Sequence, residues 1–314
     1  MLRITIFVGG WLFLLGTVVL MVKLVEADRV RREESKEARA ARQAGKEAFT
    51  GIARDVDERD RVLLNKVFPS CAQSFYGFLQ SAAPEERAQW VVGGAAQAAA
   101  RMERNAGGPA LVMSEALPRS EYLGVIWLND EPLIESLWVN SEGYRMEVVF
   151  RRERSDWRID WESFVRYSAV PWVMFAAGEG EPVQEFRLLA RQRLLASSEY
   201  DPALSIVFHV PRFGVLNESG ASSPEFVVAK GSAAGEKLRS LFRMKRQGLV
   251  PLGARLPLQD PEGMIRVRVR IRREDNGKER QFVLEDVLAG HWLGIKESGI
   301  PEHQDTASDP TKDE

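Results

Sequence analysis

Hydrophobic and polar positions divide the chain into stretches of different period. Ile4 to Val22 is an almost unbroken apolar run bracketed by Arg3 and Lys23. About 19 residues at roughly 1.5 Å rise cover the hydrocarbon thickness of a bilayer, so the pattern predicts a transmembrane helix over 4–22 behind a short tail, 1–3. Over 23–61 the apolar stripe disappears. Charge and alanine dominate, with oppositely charged pairs such as Asp28 with Arg32 and Glu33 with Lys36 about one helical turn apart. This predicts a solvated helical stalk without the sustained heptads of a coiled coil.

Helical spacing with an apolar face resumes at Val62, Leu63, Val67 and Phe68 and continues at Phe75, Phe78 and Leu79, with a break predicted at Pro69. Pro84 suits a first helical turn and Glu85 and Glu86 suit the positive end of the dipole. They open a second helix that carries Trp90, Val91, Ala95, Ala98, Ala99 and Met102 and stops at Asn105, Gly107, Gly108 and Pro109. Three runs, 133–139, 144–150 and 157–164, then read as strands. In the last two, Tyr144, Met146, Val148 and Phe150, and Trp157, Ile159, Trp161 and Ser163, alternate with charged residues. Period-two alternation with turn residues between the runs predicts an antiparallel meander, and helices ahead of it predict a cone-like α+β domain over 62–170.

Ala176, Ala177, Gly178, Glu179 and Gly180 give 171–182 the composition of a hinge. A second small α+β domain is expected over 183–296, with strands at 183–195, 204–210, 264–272 and 281–288. A Ser/Gly/Ala-rich loop over 217–235 and a short helix bearing Leu238, Leu241 and Phe242 complete it. Asp275, Asn276 and Gly277 mark a hairpin turn. The polar tail, 297–314, has the composition of a disordered segment.

Composition narrows the function classes. Apolar residues make up 45% and charged residues 28%, and Lys+Arg 43 against Asp+Glu 45 leaves no basic excess to favour nucleic acid. The single cysteine, Cys71, excludes an internal disulfide and, so far from the amino terminus, a lipoprotein anchor; among Phe68, Phe75 and Phe78 it reads as a small core hydrophobe. Lys23, Arg29, Arg31, Arg32, Lys36, Arg39 and Arg42 follow the apolar run, against Arg3 and the terminal amine before it. By the positive-inside rule this bias puts the body on the cytoplasmic side of a single-pass anchor, with the periplasmic side as the alternative. A cleaved signal peptide ending at Val25 and Ala27 is the competing reading of the run, which its length disfavours. No phosphate loop, dinucleotide fingerprint, nucleophile elbow or zinc-protease pair is present, and His209, His291 and His303 lack metal-ligand spacing, so neither metal nor cofactor is expected.

Two constellations carry candidate chemistry. Arg266, Arg268, Arg270 and Arg272 share one face of a strand, opposite Ile265, Val267, Val269 and Ile271. Guanidinium groups at that spacing suit a polyanion, but no aromatic residue interleaves with them as a stacking platform. A solvated face neutralised by Glu185, Glu274 and Glu285 is the simpler expectation. The second constellation comes with a resemblance. The segments FYGFLQSAAPEERAQWV (75–91), SDWRIDWESFVRY (155–167) and PWVMFA, which follows, resemble a group of bacterial membrane-anchored proteins. The middle domain of that group is similar to the nuclear transport factor 2-like cone, the fold of ketosteroid isomerase and the SnoaL-like cyclases. The resemblance covers about a third of the chain. It implies that, were the protein an isomerase or dehydratase, Asp160 and Glu162 would supply the carboxylate, with Tyr144 or Tyr167 as hydrogen-bond donor. The sequence as a whole points to binding rather than catalysis: a bacterial membrane protein that meets lipid through 4–22 and serves assembly, scaffolding or ligand capture, with a protein partner expected.

Overall fold

The computed structural model describes residues 56–104, 116–193, 202–215, 217–256, 260–277 and 279–301. The transmembrane helix predicted over 4–22, the stalk up to residue 55 and the tail beyond 301 lie outside these residues. Among the described residues no helix is long and apolar enough to cross a membrane. The described chain is mixed α+β, with one four-stranded and one five-stranded sheet, both antiparallel.

Helix α1 (Glu58–Gln80) buries Leu64, Val67, Phe68, Cys71, Phe75, Phe78 and Leu79 along one stripe. It runs unbroken through Pro69, against the predicted break. Pro69 and Asn65, whose carbonyl loses its usual donor, are both on the exposed side, so the freed carbonyl meets solvent and the apolar stripe stays intact. The single helix expected next is divided. After α2 (Pro84–Arg87), Val91 leaves the helix to bridge Ile159, Gly93 turns the chain at φ 93°, and α3 (Ala95–Arg104) starts afresh.

The first sheet is a meander in the order β1 (Arg119–Leu128), β2 (Glu131–Val139), β3 (Arg145–Glu153), β4 (Asp156–Ile159). Strand β1 adds to the three expected. Its hairpin turn is Asn129–Asp130, both at positive φ (45° and 71°), a pair of residue types that tolerate the left-handed region best after glycine. The strand expected over 157–164 stops at Ile159, because the Asp160 carboxylate accepts from Ser163 N at 3.2 Å and starts the helical turn α4 (Trp161–Phe164).

Both faces of the meander are covered. Ile134, Ser136 and Trp138 of β2 and Met146, Val148 and Phe150 of β3 are buried on the face that receives α1, where Phe75 meets both Trp138 and Phe164. Glu135 and Glu147 lie on the opposite face and are buried too. Their alternation with apolar residues therefore marks a second buried face and not a solvated one.

The five-stranded sheet has the order β7 (Ser219–Ala229), β6 (Ala203–Pro211), β5 (Val183–Arg193), β8 (Met264–Asp275), β9 (Arg280–Ala289). Strand β7 occupies the stretch expected as a loop. Its serines and glycine line a sheet edge, while Phe226 and Val228 reach the core. One face of the sheet packs Phe186, Leu188, Ile206, Phe208, Val267 and Val269 against Leu238, Leu241 and Phe242 of helix α6 (Ala233–Arg246). The segment expected as a hinge, 171–182, holds helix α5 (Trp172–Ala177), whose Trp172 and Phe175 are buried in this same core. Their apolar burial outweighs the flexibility that the following glycines suggest.

The core of the first half depends on Trp138. It is fully buried among Phe68, Phe75 and Tyr76, and its indole N–H donates to Ser136 Oγ at 2.8 Å. Trp138→Ala should cost about 3–5 kcal/mol in urea unfolding. A loss below about 1 kcal/mol would mean that this ring is not part of a packed core.

Candidate functional site

Beyond β9 the chain does not leave the molecule. Residues 290–295 form a strap between the two sheets, and three arginines, one of them fully buried, close on its backbone. Arg187, 4% exposed, donates from Nε to the Trp292 carbonyl at 2.8 Å and from its two terminal nitrogens to the Tyr167 carbonyl at 2.8 Å and Glu162 at 2.6 Å. Arg268 donates to the Leu293 and Ile295 carbonyls at 2.7 and 3.2 Å, and Arg151 donates to the Gly294 carbonyl at 2.9 Å. The Trp292 indole N–H returns to the Leu188 carbonyl at 3.1 Å. Arginine fits this task because its planar fork spreads several donors over acceptors that face different ways.

The carboxylates singled out from sequence belong to this seam. Asp160, 1% exposed, accepts from Gly294 N at 2.9 Å as well as from Ser163 N, with Arg151 4.0 Å away. Burial pushes its pKa up, while the Gly294 and Ser163 N–H groups and the arginines pull the other way. Glu162 pairs with Arg187 and with Arg101. Of the proposed donors only Tyr167 is near them, through its backbone N–H, which donates to the Glu162 carbonyl at 2.9 Å. Tyr144 packs its ring against Gly214, where a Cβ would come within 2.1 Å of it, and the Tyr167 ring rests on Trp161 at 5.3 Å. Among the described residues no hydrogen bond joins either phenol to Asp160 or Glu162.

The arginine strand is likewise used internally. Arg266 makes a four-point contact: Nε and Nη2 with Asp260 at 2.7 and 2.9 Å, and Nη2 and Nη1 with Glu147 at 2.9 and 2.8 Å. Arg272 pairs with Glu274 and Glu285, and Arg270 is exposed. The solvated face expected over 266–272 is thus buried at its amino-terminal end, because the strap and the meander cover it.

Sequence reasoning missed the residues around Arg266. Two guanidinium groups approach the Trp292 ring, Arg266 at 4.4 Å and Arg166 at 4.9 Å from its centre. Burial opposes charge on Arg266, but Glu147 and Asp260 outweigh it and hold the pKa above the ordinary guanidinium range; burial depresses that of Arg166, against the pull of Glu147. Both remain cations. Next to this cluster is a cavity of about 90 Å³. Its walls are mostly apolar, including Ile126, Val149, Leu241, Met264 and Leu293, and 249–256 form one side. Glu135, 2% exposed, fixes that side by accepting from Arg255 N at 2.7 Å. Gly124 makes room for the Tyr122 hydroxyl, which donates to the same carboxylate oxygen at 3.3 Å.

No protein-family model, curated protein or solved structure matches this chain. Among the described residues no cluster of histidine, cysteine and carboxylate side chains has the arrangement of a metal site.

His291, at the cavity edge, gives the site a pH signature. Its Nδ1 accepts from Leu293 N at 3.1 Å and its Nε2 lies 2.8 Å from the Glu297 carbonyl, an arrangement that suits the neutral ring with the proton on Nε2. Burial lowers its pKa from 6.5 to about 4, with Arg268 and Arg187 acting in the same direction. A base whose folded pKa is depressed contributes stability above its unfolded pKa and loses it as pH falls towards the folded one. Between pH 7 and pH 4.5 the unfolding free energy of His291→Asn should therefore fall less than that of the parent chain, by roughly 2–3 kcal/mol. Parallel pH profiles for the two chains would contradict the buried neutral imidazole.

Proposed function

We propose that this chain is a non-catalytic binding protein held to a bacterial cytoplasmic membrane by residues 4–22. Its body lies on the cytoplasmic side and captures a small ligand between its two sheets. The anchor and its orientation rest on the apolar run and on the basic residues after it. The likeness to the nuclear transport factor 2-like cone draws support from α1 lying across an antiparallel meander. The face of that meander covered by α1, where such a cone would keep an active-site pocket, is filled by Trp138, Phe75 and Phe164.

The observation that carries the binding reading is the division of labour among the polar groups. Asp160, Glu162, Arg187, Arg266 and Arg268 are all committed to joining the two sheets, while the neighbouring cavity is mainly apolar with polar groups along one side. One observation favours an isomerase-like enzyme instead: Asp160 is buried and its pKa is raised. Each of its oxygens, however, accepts from one backbone N–H and Arg151 stands beside them, which ties the carboxylate to the strap and to the turn after β4. A scaffold role towards a protein partner has its own support in Val173 and Met174, exposed on α5.

Native mass spectrometry of the full chain, released from its own membranes, tests the reading. The expected result is a non-covalent adduct that is lost when Ala254→Phe fills the cavity and that returns chemically unchanged after prolonged incubation. Conversion of the molecule by the parent chain but not by Asp160→Asn would establish the enzyme, and a spectrum without any adduct would remove ligand capture.

A further inference from the structure

We propose that the cavity beside Trp292 takes a small, uncharged, mainly apolar molecule bearing one hydrogen-bond acceptor, of the class of a short ketone, ester or amide. This rests on the binding reading above and adds the chemistry of the ligand. Size comes first: a dry apolar cavity of about 150 Å³ accommodates the six carbons of benzene, so about 90 Å³ encloses about four non-hydrogen atoms, the buried part of a short molecule whose end reaches the cavity mouth. Ile126, Val149, Leu241, Met264, Ile265 and Leu293 give that part an apolar surround.

Charge balance then excludes an ion. On the polar side Arg166 and Arg266 face Glu147 and Asp260, two positive groups against two negative ones, and His291 is held neutral. Farther round the wall, Lys245 and Glu135 are again of opposite sign. An anion entering the cavity would meet three carboxylates and a cation would meet three basic side chains, so neither would recover its lost hydration.

The acceptor is argued from an unmatched donor. Arg166 lines the cavity and its guanidinium is held on three sides, by the Phe164 carbonyl, by Glu147 and by the Trp292 face. Its Nε–H is buried and has no hydrogen-bond partner among the described residues. A buried donor without a partner has lost its bond to water without replacing it, and a carbonyl oxygen on an otherwise apolar ligand would restore that bond.

The test uses the full chain in phospholipid nanodiscs with 13C-methyl methionine, following the Met264 methyl on the cavity wall. 2-Hexanone should shift that signal saturably, hexanoate should bind at least about tenfold more weakly, and Ala254→Phe should abolish the response. Arg166→Lys keeps the charge opposite Glu147 but removes Nε–H. It should weaken 2-hexanone about tenfold while leaving pentane, which has no acceptor, unchanged. The proposal is overturned by a parent chain that gives no saturable shift, by hexanoate binding as well as the ketone, or by an Arg166→Lys chain that binds both neutral probes like the parent. A charged adduct from native membranes would overturn this ligand class and leave the binding reading standing, whereas absence of both adduct and probe binding would remove the two together.

Discussion

The rest of the structure depends on guanidinium groups, Arg187 buried and Arg151 and Arg268 half-buried, that close on the chain's own backbone. Arg187 and Arg268 reach from the five-stranded sheet and Arg151 from the meander, and together they take the carbonyls of residues 292–295. Asp160 holds the Gly294 N–H between them. A six-residue strap with little regular structure would leave polar backbone groups stranded between two sheets, at a cost of about 1–3 kcal/mol for each one unsatisfied. The arginines meet that demand, and the strap in turn covers arginines whose carboxylate partners, Glu162 for Arg187 and Glu185 for Arg268, leave further donors to place.

This mutual dependence explains why carboxylates with the appearance of catalytic groups have little freedom to act as such. A raised pKa at a buried carboxyl signals desolvation, and desolvation occurs equally where two layers are joined and where a substrate is held. The hydrogen-bond partners decide between the two. Asp160 is occupied by backbone donors and Glu162 by Arg187 and Arg101. Beside the seam is open space where Arg166 and Arg266 approach the Trp292 ring and Glu135 fixes the 249–256 side through Arg255.

Much of the fold was legible in the sequence, and the parts that were not have identifiable causes. Alternation at 144–150 and 264–272 marked β3 and β8, and the Asn276–Gly277 turn marked the β8–β9 hairpin. Strand β7 was hidden by serines suited to an exposed edge, and β1 by a continuous apolar run whose clearest signal was the Asn129–Asp130 turn. The site was far less legible. The arginine spacing was visible, and so were Glu185, Glu274 and Glu285 as partners of Arg268 and Arg272, but the strap carbonyls were not, because backbone carbonyls carry no sequence identity. Glu135 and Glu147 resembled the solvent face of an ordinary meander, since a strand covered on both sides by charged partners has the same alternating pattern as one facing water. The cavity draws its walls from segments far apart in the chain, so no local pattern announces it.

The most direct test of the central claim is hydrogen exchange measured by mass spectrometry across a denaturant series, comparing the parent chain with Arg187→Met. If the arginine-bound strap makes the two sheets one cooperative unit, peptides from β2–β3 and from β5–β8 lose protection at the same denaturant concentration in the parent chain and at separate concentrations in the variant. Separate transitions in the parent chain would contradict the account, because the sheets would then be stable independently of the seam.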